Sequence, residues 1–199
     1  MPGMPDAPAI RPNARIDTEL VMLVDVEDRV IGTAEKHAAH RSGALHRAFS
    51  VLIHNPAGNW LLQRRSPGKY HSGGLWTNAA CGHPRPGEAT EAAAGRRLEE
   101  ELGFVCPLAY VTRVHYRSPL DHGMTEHELV SIYTGRHEGP VEPDPCRGRR
   151  GALIVSPQEL RCDMDAHPDR YTVWFRKYAG RSSGRRCTPP ERLSLVVQT

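Results

Sequence analysis

The segment from Gly82 to Phe104 constrains this chain most. Between Glu88 and Leu102 it is rich in Ala and Glu, holds no Pro and has no β-branched residue other than Thr90, and Gly103 follows at the position of a helix C-cap. These features predict a helix over 88–102. Arg97, Glu100 and Glu101 stand three and four residues apart and share one face of it. Carboxylates grouped in this way suit a hard divalent cation. A solvated face of Glu–Arg pairs accounts equally well for the spacing in a lone helix. Here, however, Gly82 precedes the helix and Gly103-Phe104 follows it, which makes the unit a loop, a helix and a loop.

Around this unit the chain reads as short strands. Leu20 to Val24 and Val30-Ile31 flank a polar turn at Glu27-Asp28-Arg29, and Ala48 to His54 and Trp60 to Gln63 flank Asn55-Pro56-Ala57-Gly58, which predicts two hairpins. Leu108 to Tyr116, Glu126 to Thr134 and Ala152 to Val155 read as further strands, Ser156-Pro157-Gln158-Glu159-Leu160 as a helix start, and Tyr171 to Tyr178 as a helix carrying Trp174 and Phe175. Hairpins with few helices argue an α+β sandwich, a mixed sheet between helices. Residues 1–17 are Pro-rich and residues 181–199 are Arg-rich, neither with a period, so the expected order is a flexible N-terminal segment, one domain over 18–180 and a loose basic tail.

Composition removes several classes of function. The formal net charge of +3 comes from 26 Lys+Arg against 23 Asp+Glu. Arg181, Arg185, Arg186 and Arg192 against Glu191 place the whole excess in the tail and leave residues 1–180 balanced. A balanced body lacks the basic face that nucleic acid requires, so no nucleic-acid partner is expected. No apolar run is long enough for a membrane span, and Met-Pro-Gly-Met-Pro-Asp has no core for a signal peptide, so a cytoplasmic protein is expected, with a monomer as its default state. Five cysteines, an odd number without a CxxC pair, point away from a disulfide scaffold or a zinc ribbon; Cys106, Cys146, Cys162 and Cys187 read as small hydrophobes.

One strand carries chemistry. Period-2 alternation puts Glu126, Glu128, Val130 and Ile132 on one face, so two acids extend an apolar, inward-looking row. Buried paired carboxylates need a metal or a proton. His40, His46 and His83 have no helical spacing, and in a chain of 11 histidines they carry no metal signature of their own.

Gly82, Glu88, Arg96, Leu98, Glu100, Glu101, Gly103 and Phe104 fall at the spacing of the Nudix box, G-x5-E-x7-R-E-U-x-E-E-x-G-U, with Arg97 where the box has Glu. The chain therefore resembles the Nudix proteins, which implies a Nudix-like α/β/α sandwich. Thr77-Asn78-Ala79-Ala80-Cys81-Gly82-His83-Pro84 is similar to the TN-x-x-CGHP segment of the type 1 isopentenyl-diphosphate isomerases, which carry a modified box directly after it. Glu35-Lys36 to His40 with Leu45-His46, Arg64-Arg65 to Lys69 with Gly74-Leu75-Trp76, and Glu126-His127-Glu128 resemble three further segments of the same family.

The resemblance implies roles. His40, His46, His83, Glu126 and Glu128 would hold a divalent ion (zinc, manganese or magnesium), and Glu101 a magnesium ion that bridges diphosphate oxygens. Lys36, Arg65 and Lys69 would meet the diphosphate; the chain has only three lysines, and two of them fall at these positions. Cys81 and Glu128 would be catalytic, Trp174 would place its ring against the substrate's branched carbon, and Tyr116 would hydrogen-bond the active carboxylate. The implied activity interconverts isopentenyl and dimethylallyl diphosphate by protonation and deprotonation at carbon. A Nudix pyrophosphohydrolase acting on a nucleoside diphosphate derivative, favoured by Glu88, Glu100 and Glu101, and a non-catalytic binding protein are the alternatives.

Overall fold

The computed structural model describes residues 19–141 and 149–179; the expected loose N-terminus, the basic tail, Cys146 and Cys187 lie outside them. Among the described residues, nine strands form one mixed sheet. The predicted hairpins are β1 (Leu20–Val24) with β2 (Val30–Glu35), and β3 (His46–His54) with β4 (Trp60–Arg65). Two short strands follow, β5 (Trp76–Thr77) and β6 (Ala80–Gly82), then β7 (Leu108–Pro119), β8 (Thr125–Arg136) and β9 (Arg149–Val155). The centre of the sheet is β3, which runs parallel to β8 over its whole length and meets β1, β4 and β6 antiparallel. The remaining pairs, β4 with β5 and β9 and β7 with β8, are antiparallel.

Both faces of the sheet are covered, and alternation along the strands assigns each side chain to a layer. Phe49, Val51 and Ile53 pack with Leu61 and Tyr133 against Ala93, Ala94, Leu98 and Leu102 of helix α2 (Thr90–Leu102). Ala48, Leu62, Val130 and Ile132 point the other way, onto Leu160 and Met164 of α3 (Pro157–Ala166) and Trp174 and Phe175 of α4 (Val173–Ala179). The two layers make the expected α/β/α sandwich. The strand read from Ala152 begins earlier, at Arg149, and pairs with β4 to its end.

Helix boundaries follow local chemistry. The box helix starts at Thr90 and not at Glu88, because Ala89 is extended (φ −64°, ψ 137°) and the Glu88 carboxylate accepts the Arg85 N–H at 2.8 Å in the turn before it. It stops where Gly103 adopts φ 74°, a conformation that costs glycine nothing. Ser156 and Glu159 form a capping box on α3, as their spacing predicts. One helix is not among those read from the sequence: α1 (Lys36–Ser42), held at its start by the Glu35 carboxylate on the His37 and Ala38 N–H groups and at its end by Gly43 at φ 65°.

Leu98 is fully buried where α2 meets the sheet, so Leu98→Ala should cost about 2–5 kcal/mol, read as a lower midpoint in urea unfolding with an unchanged slope.

Candidate active site and metal centre

Strand register builds the site. In the parallel pair His46 stands opposite Glu128, and in β7 Tyr116 stands opposite the same Glu128. In β6 Cys81 stands opposite Ser50 of β3, and His83 follows two residues on. His40 enters from α1, whose axis is set by its two caps. Trp174 and Tyr178 approach from α4 and Lys36 from the first turn of α1, while Arg65 and Lys69 come from the end of β4 and the loop after it; all border one cavity of about 710 Å³. Every residue expected at the site from the sequence lines this cavity except His46, which lies buried directly behind it.

The imidazoles and carboxylates form two overlapping groups: His40, His46, His83 and Glu128, and His40, His71 and Glu126. The five expected donors are thus gathered, with Glu126 arriving in the company of His71, a residue the sequence reading passed over. The loop 66–75 that carries His71 has no period to mark an inward position. The only available hint was a histidine lying between two basic residues and Trp76.

Protonation states argue for a cation. His40 Nδ1 lies 2.7 Å from the Lys36 carbonyl and His46 Nδ1 2.8 Å from the Ala44 carbonyl, so each ring carries its proton on Nδ1 and turns an Nε2 lone pair inward. Both Nε2 atoms are buried without a hydrogen-bond partner. They face carboxylate oxygens, His40 to Glu126 at 3.8 Å and His46 to Glu128 at 3.6 Å. Acceptors turned on acceptors repel unless a positive ion or a proton lies between them. His83 Nε2 is 3.0 Å from Glu128, and the Tyr116 hydroxyl lies 2.7 Å from Glu128 and 3.0 Å from Glu126, with one proton to give to either. Burial and the charge of Glu128 push the Glu126 carboxyl well above the usual carboxylate range. The His/Glu cluster therefore fits a divalent metal ion, which both ionises the acids and engages the orphaned nitrogens.

Around the cluster the polar side chains are held in place. The Trp174 indole donates to Thr77 Oγ1 at 3.0 Å, and the Arg65 guanidinium lies 5.0 Å from the Trp174 ring centroid. Burial raises the Cys81 thiol above its ordinary value, so it carries its proton at neutral pH. Burial, with Arg65 nearby, lowers the Lys69 ammonium. Lys36 pairs with Glu19 at 2.9 Å. On the box helix Arg96 binds Glu88 at 2.7 Å and Glu100 at 3.0 Å, and Arg97 binds Glu100 at 2.7 Å and also Glu101. Gln63 donates to the other oxygen of Glu101 at 2.6 Å.

Burial holds three imidazoles below the ordinary 6.5: His83 at about 4, His71 at about 3, and His40 lowered as well. The unfolded chain therefore binds more protons than the native one as pH falls from about 6.5 to about 4, and stability is lost across that window. Glu126 acts in the opposite sense, whereas Glu128, held low by His46 and His83, acts in the same sense as the imidazoles. Thermal unfolding of chelator-stripped protein should show a Tm that declines steadily from pH 7 to pH 4 (about 3 units of pH), whereas a constant or rising Tm would contradict neutral, buried rings.

Comparison with known proteins agrees with this geometry. The NUDIX domain model matches residues 44–175. The isopentenyl-diphosphate Delta-isomerase of Burkholderia multivorans is 48% identical over 157 residues, 79% of this chain and 89% of that protein. Isopentenyl-diphosphate Delta-isomerase 2 of Photorhabdus laumondii is 45% identical, over 80% and 89% of the two chains, and the Streptomyces coelicolor isopentenyl-diphosphate Delta-isomerase 44%, over 82% and 83%. Among solved structures, DR0079 from Deinococcus radiodurans superposes with a TM-score of 0.63 at 22% identity, covering 75% of this chain and 90% of that one. The MutT protein of Methanosarcina mazei gives 0.55 at 20% identity, over 68% and 90%, and both likenesses are of fold alone. The chain belongs to the NUDIX family and, within it, to the isopentenyl-diphosphate Delta-isomerases.

Proposed function

We propose that this chain interconverts isopentenyl diphosphate and dimethylallyl diphosphate. A proton is added to the terminal methylene carbon of the substrate, leaving a tertiary carbocation-like centre, and a proton is removed from the carbon between that centre and the CH2–O group. No atom is gained or lost. The observation that supports this most directly is the sharing of one cavity by the buried Cys81 thiol, the buried Glu128 carboxylate and three cationic side chains, Lys36, Arg65 and Lys69.

The cations bind the diphosphate and so fix the hydrocarbon end against the interior groups. Cys81 and Glu128 exchange protons with carbon from opposite sides of the substrate, and Tyr116, which donates to Glu128, keeps that carboxylate in place. Trp174, oriented by its bond to Thr77, offers a π-face to the developing positive charge. The low-polarity wall of Val130 and Ala48 keeps water from the cation. When bound, a divalent ion (zinc, manganese or magnesium) at His40, His46, His83, Glu126 and Glu128 supplies the charge that tunes the acidity of Glu128, and magnesium at Glu101 supplies charge on the diphosphate. The hydrolase alternative rests on Glu88, Glu100 and Glu101, and Arg96 and Arg97 already engage all three.

Purified protein incubated with isopentenyl diphosphate and magnesium should yield dimethylallyl diphosphate without released phosphate; phosphate without isomer would transfer the chain to the hydrolases. Cys81→Ala and Glu128→Gln should each lower the isomerisation rate by about 10²–10⁴-fold with the fold intact by circular dichroism. In deuterated buffer the wild-type product should carry deuterium in a methyl group, and full incorporation by Cys81→Ala would remove Cys81 from its role.

A further inference from the structure

A fourth imidazole stands at the edge of the metal cluster without an assigned task. His71 is 5% exposed. Its ring is gripped on three sides, by Tyr70 edge-on at 4.4 Å, by Trp174 edge-on at 5.6 Å and by His40 stacked at 5.9 Å. Its Nδ1 lies 3.2 Å from Ser72 Oγ, which leaves Nε2 to face Glu126 Oε1 at 3.7 Å. That separation is too long for a hydrogen bond. It matches His40 to Glu126 at 3.8 Å and His46 to Glu128 at 3.6 Å. Metal–ligand bonds of about 2.0–2.2 Å put two donors on a common ion no more than about 4 Å apart, so all three pairs have the spacing of donors around one ion.

Donor overlap decides how many ions the cluster takes. His40 belongs to both groups, the one with His46, His83 and Glu128 and the one with His71 and Glu126. Its Nε2 has one lone pair, because Nδ1 holds the proton, so the two groups cannot hold separate ions at once. Glu126 reaches the cluster only in company with His71. We propose that His71 is a sixth protein ligand of the same divalent ion, so that the shell is four imidazoles and two carboxylates. This inference rests on the metal-dependent reading of the site given above.

Two consequences follow. A shell completed by side chains leaves the diphosphate to Lys36, Arg65 and Lys69 and to the magnesium ion that Glu101 would hold, and confines the cluster's ion to the proton-transfer end of the cavity. His71 also lies two residues from Lys69, in the loop between β4 and β5, so filling the metal site fastens the segment that carries a diphosphate contact.

The test strips the full chain with chelator and titrates it with zinc and with cobalt, for wild type and for His71→Leu, which keeps an apolar body against Tyr70 and Trp174. Wild type should bind one ion; His71→Leu should still bind one, with Kd raised about 10–100-fold, and its cobalt spectrum should intensify as the coordination number drops. Amide exchange over 66–75 should slow on zinc addition in wild type and not in the variant. X-ray absorption of the zinc-loaded wild type should count four imidazoles, a readout that needs no variant to fold. Zinc affinity within twofold of wild type with an unchanged cobalt spectrum, or a shell of three imidazoles, would overturn the assignment of His71. Two ions within the His/Glu cluster, read as a zinc–zinc distance in the X-ray absorption, would overturn the single shell, and no ion bound by wild type would bring down the metal reading itself.

Discussion

Two carboxylates on one face of a central strand, both buried, are the constraint around which the rest of the molecule is arranged. Glu126 and Glu128 continue the row that Val130 and Ile132 begin, on the face covered by α4. A protein that only needed stability would place apolar side chains there, since burying like charges beside each other is costly and a protonated pair contributes little in return. Only Tyr116, from the neighbouring strand, gives the pair a clear hydrogen bond; His46 from the parallel strand, His40 from α1 and His83 from the turn after β6 surround the acids with imidazole nitrogens that a cation would engage. Each comes from a different element, so the whole sheet has to form before the site does. The orphaned Nε2 atoms of His40 and His46 show that the arrangement is made for a cation and not for internal satisfaction.

The register of β3 carries most of this precision. Parallel pairing with β8 puts His46 against Glu128, and a shift by one residue between the two strands would leave His46 on the opposite face of the sheet from Glu126 and Glu128. Antiparallel pairing with β6 puts Cys81 beside Ser50, on the same side of β3 as His46 by alternation. Ser50 also meets the Tyr178 hydroxyl, which in turn approaches Asn78 at 3.3 Å, so α4 is pinned to the strands that carry the thiol and holds Trp174 over the cavity. The polar residues of Thr77-Asn78 are structural as much as functional: Thr77 accepts from the Trp174 indole and meets Thr172, which ties the motif to the helix that closes the site.

Which parts of this were legible in the sequence depends on whether periodicity or tertiary contact creates them. The box helix, the inward row on β8 and the start of α3 at Ser156-Pro157 are local patterns, and they read correctly. The start of α2 did not, because Glu88 is drawn into the turn by the Arg85 N–H and by Arg96, an interaction eight residues away that helix propensity does not contain. Helix α1 did not either: seven residues with two interior histidines have little propensity of their own, and its existence depends on Glu35 and Gly43 and on the strands it packs against. His71 was invisible for a related reason. A loop without a period gives no sign of which side chain turns inward, and His71 is oriented by Tyr70, Trp174 and His40, residues brought to it by the fold. Family resemblance supplied the cluster of distant histidines, which spacing alone could not.

The Arg at position 97 explains how a helix of this family serves chemistry at carbon. A face bearing only acids would collect cations beside a phosphate and activate water there. Here Arg97 bridges Glu100 and Glu101 while Arg96 bridges Glu88 and Glu100, so the acidic face is nearly neutralised from within, and Arg96 holds the Glu88 carboxyl down at about 2. Glu101 keeps its place at the cavity with Gln63 on one oxygen and Arg97 on the other. Among the described residues, the histidines and acids grouped closely enough to hold a metal lie instead around Glu126 and Glu128, alongside Cys81 and Trp174.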